Sequence, residues 1–152
     1  MSREVRNAIE IDASPATVWA TLTDTASFSD WNPFMHRAEG ELRPSARLDV
    51  EIEPPGSRRM TFKPTVLSVE PEQELRWRGR LIMPGLFDGE HSIRLEPLGY
   101  GGTRLTQAEY FTGLLVPLMG GFLEKTRLGF EQMNVALKAR AEAAQQSTQP
   151  IL

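Results

Sequence analysis

The sequence predicts an α+β protein in which a strongly curved antiparallel sheet of about seven strands wraps around one long C-terminal helix. Three observations carry that expectation. Residues from Met35 to Thr112 read as strands punctuated by short turns. From about Val116 the apolar period lengthens to that of a helix. The strands have a single apolar face, and only the last helix is long enough to cover it.

The elements follow in order. Val5, Asn7, Ile9 and Ile11 alternate with Arg6, Ala8 and Glu10, which predicts a half-buried first strand. In "DASPATVWATLTD", Ser14 suits a helix N-cap and Pro15 the first helical position. Val18, Trp19 and Leu22 give that helix its apolar face. A second helical turn is expected over Ser27 to Trp31, ended by Pro33. "RLDVEIE" alternates through Leu48, Val50 and Ile52, and "PPGS" at 54–57 turns the chain. Pro64 inside "RMTFKPTVLSV" belongs at an edge or a bulge. "ELRWRGRLIM" sets Leu75, Trp77, Gly79, Leu81 and Met83 opposite Arg76, Arg78 and Arg80. "HSIRLEPL" turns His91, Ile93 and Leu95 inward, and "TRLTQAEYF" is the final strand. Met119, Phe122, Thr126, Gly129, Phe130, Met133 and Leu137 then form one stripe on a helix of about seven turns.

Such a sheet does not close tightly on one helix everywhere, so an apolar cavity between them is expected. Gly79 and Gly129 are expected to leave room on its facing walls. Residues 1–142 are read as a single ligand-binding domain and 143–152 as a flexible tail.

Composition narrows the function. The chain has 152 residues, 40% hydrophobic and 24% charged, with a net charge of −3. Scattered arginines give no footprint for nucleic acid. Without cysteine there are no disulfides, thiolate nucleophiles or zinc–thiolate sites. The charged start MSREVRNAIEI lacks a signal-peptide core, and the longest apolar stretch, Gly113 to Leu123, is too short to span a membrane. The expectation is a cytoplasmic protein, monomer or weak homodimer, with no stable membrane insertion. His36 and His91 stand without an acidic cluster, so neither a metal nor another cofactor is expected.

The opening "IEIDASPATVWATLTD", the segment "SDWNPFM", the strand "GGTRLTQAEYFTG" and the closing helix together resemble the START-related superfamily. This group is also called SRPBCC or polyketide cyclase/dehydrase-like, and has the helix-grip fold. The resemblance covers roughly Val5 to Glu142. It implies an elongated apolar cavity for lipids, sterols, polyketides or related molecules, without fixing one chemistry.

The candidate residues divide by what they offer. Trp31, Asn32 and Phe34 either roof the cavity mouth, with Asn32 offering its amide, or pin the short helices to the sheet. Gln107 and Glu109 share the apolar side of their strand with Leu105 and Phe111, where burial without partners is costly. They either orient a polar ligand end or pair with Arg37 or His91, and Glu109 is the candidate base. His91 lies on the apolar phase of its strand, as a hydrogen-bonded structural residue or a proton-transfer group. Trp77, Met60, Phe62, Met83 and Phe87 read as cavity wall or core. Met119, Phe122 and Met133 are adaptable lining.

Three functions are compatible with these residues. One is binding of a small hydrophobic or amphipathic molecule; another is cyclase or dehydratase-like catalysis through Glu109, Gln107 or His91. The third is a chaperone-activator-type interaction module, which a filled interior would favour.

Overall fold

The computed structural model describes residues 2–80 and 82–148. Strand β1 (Ser2–Ile11) leads into helix α1 (Pro15–Thr23), a 3₁₀ turn (Thr25–Ser27) and the short helix α2 (Phe28–Trp31). Seven strands follow: β2 (Met35–Glu39), β3 (Asp49–Ile52), β4 (Met60–Phe62), β5 (Thr65–Glu70), β6 (Glu74–Arg80), β7 (Asp88–Pro97) and β8 (Thr103–Thr112). A 3₁₀ turn (Val116–Leu118) then precedes α3 (Gly120–Ser147).

The antiparallel strands form two sheets among the described residues, where one continuous sheet is expected from the sequence. The larger runs β1-β8-β7-β6-β5 and the smaller β2-β3-β4. Pro64 is why they separate: it has no N–H to donate, and it falls between β4 and β5. The segment before β3 joins the sheets, with Val66 N–H donating to Ala46 O (2.8 Å) and Leu48 N–H to Pro64 O (3.0 Å).

Local chemistry accounts for the elements that frame the interior. Ser14 Oγ accepts from Thr17 N–H at 3.2 Å and caps α1, with Pro15 in the first turn. Val18 and Leu22 are buried, and Trp19 packs beside them. In β8 the inward residues are Thr103, Leu105, Gln107, Glu109 and Phe111, as their alternation predicts. Register sets Ile9 beside Leu105, Asn7 beside Gln107 and Val5 beside Glu109. On α3 the buried stripe includes Thr126, Gly129, Phe130, Met133 and Leu137, with Leu123, Asn134 and Ala141 added.

Helix α3 runs on to Ser147, into the segment 143–152 expected as a tail. The added turn is held at α1, where Asp12 N–H donates to Glu142 Oε2 (2.7 Å) and Ser14 N–H to Gln145 Oε1 (3.0 Å). Residues 149–152 lie outside the described residues. Met83, expected inward, is exposed because β6 ends at Arg80 and Met83 falls in the following turn. The inward expectation for Leu81 also lies outside the described residues.

Candidate functional site

Between α3 and the large sheet runs a buried polar chain. His91 Nε2 lies 2.9 Å from Gln107 Oε1, and Gln107 Nε2 donates to Asn134 Oδ1 at 2.7 Å. Asn134 Nδ2 donates to both oxygens of Asn7, at 3.2 Å to the carbonyl and 2.9 Å to Oδ1. Since Gln107 Oε1 can only accept, the His91 proton sits on Nε2. The ring stacks on Phe130, centroids 4.9 Å apart, and meets Trp77 edge-on at 5.1 Å. Burial pushes its pKa down to about 4, against a smaller opposite pull from Gln107. His91 is therefore neutral across the physiological range, a donor locked into the chain.

Glu109 is different. It faces the interior between Gln107 and Phe111, flanked by Val5 of β1 and His91 of β7. Among the described residues nothing hydrogen bonds to its carboxyl. Of the alternatives, pairing of Glu109 with His91 or Arg37 is not made. Gln107 and His91 engage one another, and Arg37 lies on β2 with Asp49 (2.8 Å) and Glu51 (3.1 Å). Glu109 reaches over Gly89, where even a Cβ would collide with Oε2. Gly89 pairs in register with Gly79, whose open side is taken by the Phe62 ring rather than by Glu109. The buried side chains also divide here. One cluster holds Trp77, Leu105 and Phe130, the other Phe87, Phe111, Val116 and Leu123, and Val5 packs on both. The residue keeps a little solvent exposure, but its carboxyl is enclosed enough that desolvation raises its pKa to about 8. At neutral pH it is chiefly a carboxylic acid, able to donate one hydrogen bond and accept others.

The remaining candidates are placed as follows. Phe34 is buried, with its ring edge-on to Phe130 at 5.7 Å, and it fills the space over Gly129. Of the two alternatives for Phe34 this is the packing one, and it corrects the open space expected at Gly129. Gly79 is likewise covered, its Cβ direction ending 3.2 Å from the Phe62 ring. The interior expected to be empty beside these two glycines is thus stoppered by two aromatic side chains. Asn32 Oδ1 accepts from the N–H groups of Phe34 (3.1 Å) and Met35 (2.8 Å), holding the turn at Pro33. Asn32 Nδ2 and Trp31 Nε1 are buried without a partner among the described residues. Trp31 packs edge-on to Phe28 at 5.5 Å. Trp77 and Met133 belong to the larger cluster, Phe122 and Met119 to the rim of the smaller one, and Met60 packs against the larger.

Asn134 and Asn7 close the polar chain, and Asn134 was absent from the sequence-based candidates. Its signal was available: it stands four residues from Phe130 on the buried stripe, where a polar group needs a partner. Because Gly129 seats Phe34, Gly129→Leu is expected to lower stability by roughly 1–3 kcal/mol through overpacking. Thermal melts check it, and an unchanged melt would mean that the Phe34 ring leaves its seat freely.

The description "polyketide cyclase/dehydrase and lipid transport" belongs to a family whose sequence pattern matches residues 2–142. The chain belongs to this family. No curated protein matches it. Three solved structures share its fold. The ZhuI aromatase/cyclase from Streptomyces sp. R1128 is 17% identical, with 99% of this chain and 100% of that one covered and a TM-score of 0.75. A START superfamily protein from Mycobacterium smegmatis is 21% identical, covering 93% and 98%, with a TM-score of 0.70. A Mesorhizobium loti protein is 20% identical, covering 97% and 100%, with a TM-score of 0.73. At these identities the likeness is one of fold.

Proposed function

We propose that this polyketide cyclase/dehydrase and lipid transport family member binds a small hydrophobic or amphipathic molecule between its sheet and α3. The polar end of the molecule meets Glu109. One observation carries the reading: a carboxyl without a partner among the described residues faces the interior over the backbone of Gly89, beside a polar chain that does not include it. Glu109 is half-buried, so the solvent that reaches its carboxyl offsets only part of the desolvation that raises its pKa. A ligand hydroxyl or carbonyl would supply the missing hydrogen bond. Phe34 and Phe62 fill the neighbouring space with side chains rather than backbone, so a rotamer change at either would open it.

A second reading is favoured by the same carboxyl. An acid with a pKa of about 8 holds a transferable proton at neutral pH, which suits cyclase or dehydratase-like chemistry. The stoppered interior speaks for an interaction module, but that reading leaves the isolated carboxyl without a purpose. Native mass spectrometry of the purified protein, followed by displacement with an apolar fluorescent probe, tests the proposal. A retained small molecule, displaced by the probe and held more weakly in Glu109→Gln, is the expected result. Failure to retain or take up any apolar molecule would refute it, and turnover of the retained molecule would favour the enzyme.

A further inference from the structure

Beyond the interior, one end of the molecule carries an unusual surface. The β6–β7 turn and the β8–α3 connection are joined there. Leu114 N–H donates to Gly85 O at 3.1 Å and Leu115 N–H to Leu86 O at 2.9 Å. Gly113, with φ at 129°, makes this approach possible, because a side chain there would strike the Leu86 carbonyl. Phe87 and Val116 anchor the two loops from beneath. Their outer side chains have no such cover: Ile82 is 55% exposed, Met83 62%, Leu114 77% and Leu118 80%. These are four of the eight large apolar residues exposed in the described chain. No charged residue occurs in 82–87 or in 113–123, and the adjoining Asp88 turns its Oδ2 back onto the Gly85 N–H.

Cations flank it. Arg47, Lys63, Arg78 and Arg80, all exposed, line a groove of about 340 Å³ with Thr65 and Leu67, and no carboxylate borders that groove. Register sets Glu90 opposite Arg78 and Asp88 opposite Arg80. Both acids are engaged elsewhere: Glu90 with Arg76 at 3.1 Å, and Asp88 Oδ2 with the Gly85 N–H at 3.1 Å. Near the start of α3, the Arg3 guanidinium lies beside Gly120. Apolar side chains bordered by Arg78 and Arg80, which make no ion pair among the described residues, match a surface with negative headgroups above hydrocarbon. Two copies meeting through these loops would bring like charges together.

We propose that the 82–87 and 113–118 loops seat this protein on an anionic lipid surface. Ile82, Met83, Leu114 and Leu118 enter the headgroup–acyl boundary, and the Arg78–Arg80 row faces lipid phosphates. The contact is peripheral, since no helix of the described residues is long and apolar enough to cross a membrane. It does not depend on what the interior binds.

Co-sedimentation with phosphatidylcholine vesicles, with and without added phosphatidylglycerol, tests it. The protein is expected to bind the mixed vesicles and to be released as salt rises. Arg78→Gln with Arg80→Gln should weaken binding about fivefold per cation removed. Leu114→Ser with Leu118→Ser should weaken it roughly tenfold or more. All four residues are exposed, so unchanged melting temperatures should accompany both losses. Three results would overturn the proposal. They are absence of binding to mixed vesicles, undiminished binding by the leucine variant, and a dimer in solution that the leucine substitutions dissolve.

Discussion

Phe34→Ala is expected to cost about 3–5 kcal/mol and to open the interior to apolar probes. The ring is buried, stands edge-on to Phe130 and occupies the hollow that Gly129 leaves in α3. Removing it deletes those contacts and leaves a hole that the backbone of β2 and α3 cannot wholly collapse into. In an ordinary core the result would be lost stability alone. Here Phe34 packs on Phe130, whose ring stacks on His91, the register partner of Glu109, so a small apolar probe should enter the hole and restore part of the lost stability through binding linkage. Chemical denaturation with and without probe reads both effects. Full stability without the ring would mean that Phe34 is no stopper. Lost stability that no probe recovers would separate the hollow from any binding site.

Glu109→Gln should change how stability depends on pH. In the fold Glu109 keeps its proton until about pH 8, whereas its ordinary value is 4.5. Its folded pKa is raised, so its contribution is complete below about 4.5 and is lost as the pH climbs to about 8. His91 runs the other way. Its folded value is pushed from 6.5 to about 4, so stability is lost as the pH falls through that interval. The two slopes oppose one another between 4.5 and 6.5, giving a plateau there. Above 6.5 only Glu109 still acts, and stability should fall by up to about 1.4 kcal/mol per pH unit. Glu109→Gln keeps the neutral shape and removes that decline, stabilising the protein by roughly 3 kcal/mol at pH 7. Denaturation midpoints across pH 5 to pH 9 check the sign, and identical slopes in both proteins would contradict it.

Much of this was legible in the sequence. Period-two alternation placed Asn7, His91, Gln107 and Glu109 on the inner face, because a strand offers only two sides. The Ser14–Pro15 start and the long amphipathic helix followed from equally local rules. What joins distant segments was not legible. A glycine on a helix stripe announces missing volume but not its occupant, and Phe34 lies far from Gly129 in the chain. Asn134 interrupts an apolar stripe, and its role depends on Asn7 and Gln107 arriving from two strands. Alternation turned Glu109 inward without saying that its neighbours would pair with each other and leave it alone. Met83 was misassigned for a related reason: alternation does not mark where β6 gives way to its turn.

The isolated carboxyl is the centre of this account, and a carbon-13 NMR titration of the Glu109 side chain tests it most directly. A midpoint near pH 8 is expected in the free protein, displaced when an amphipathic ligand enters. A midpoint near 4.5, unmoved by any ligand, would show a solvated or paired carboxylate and contradict the proposed site.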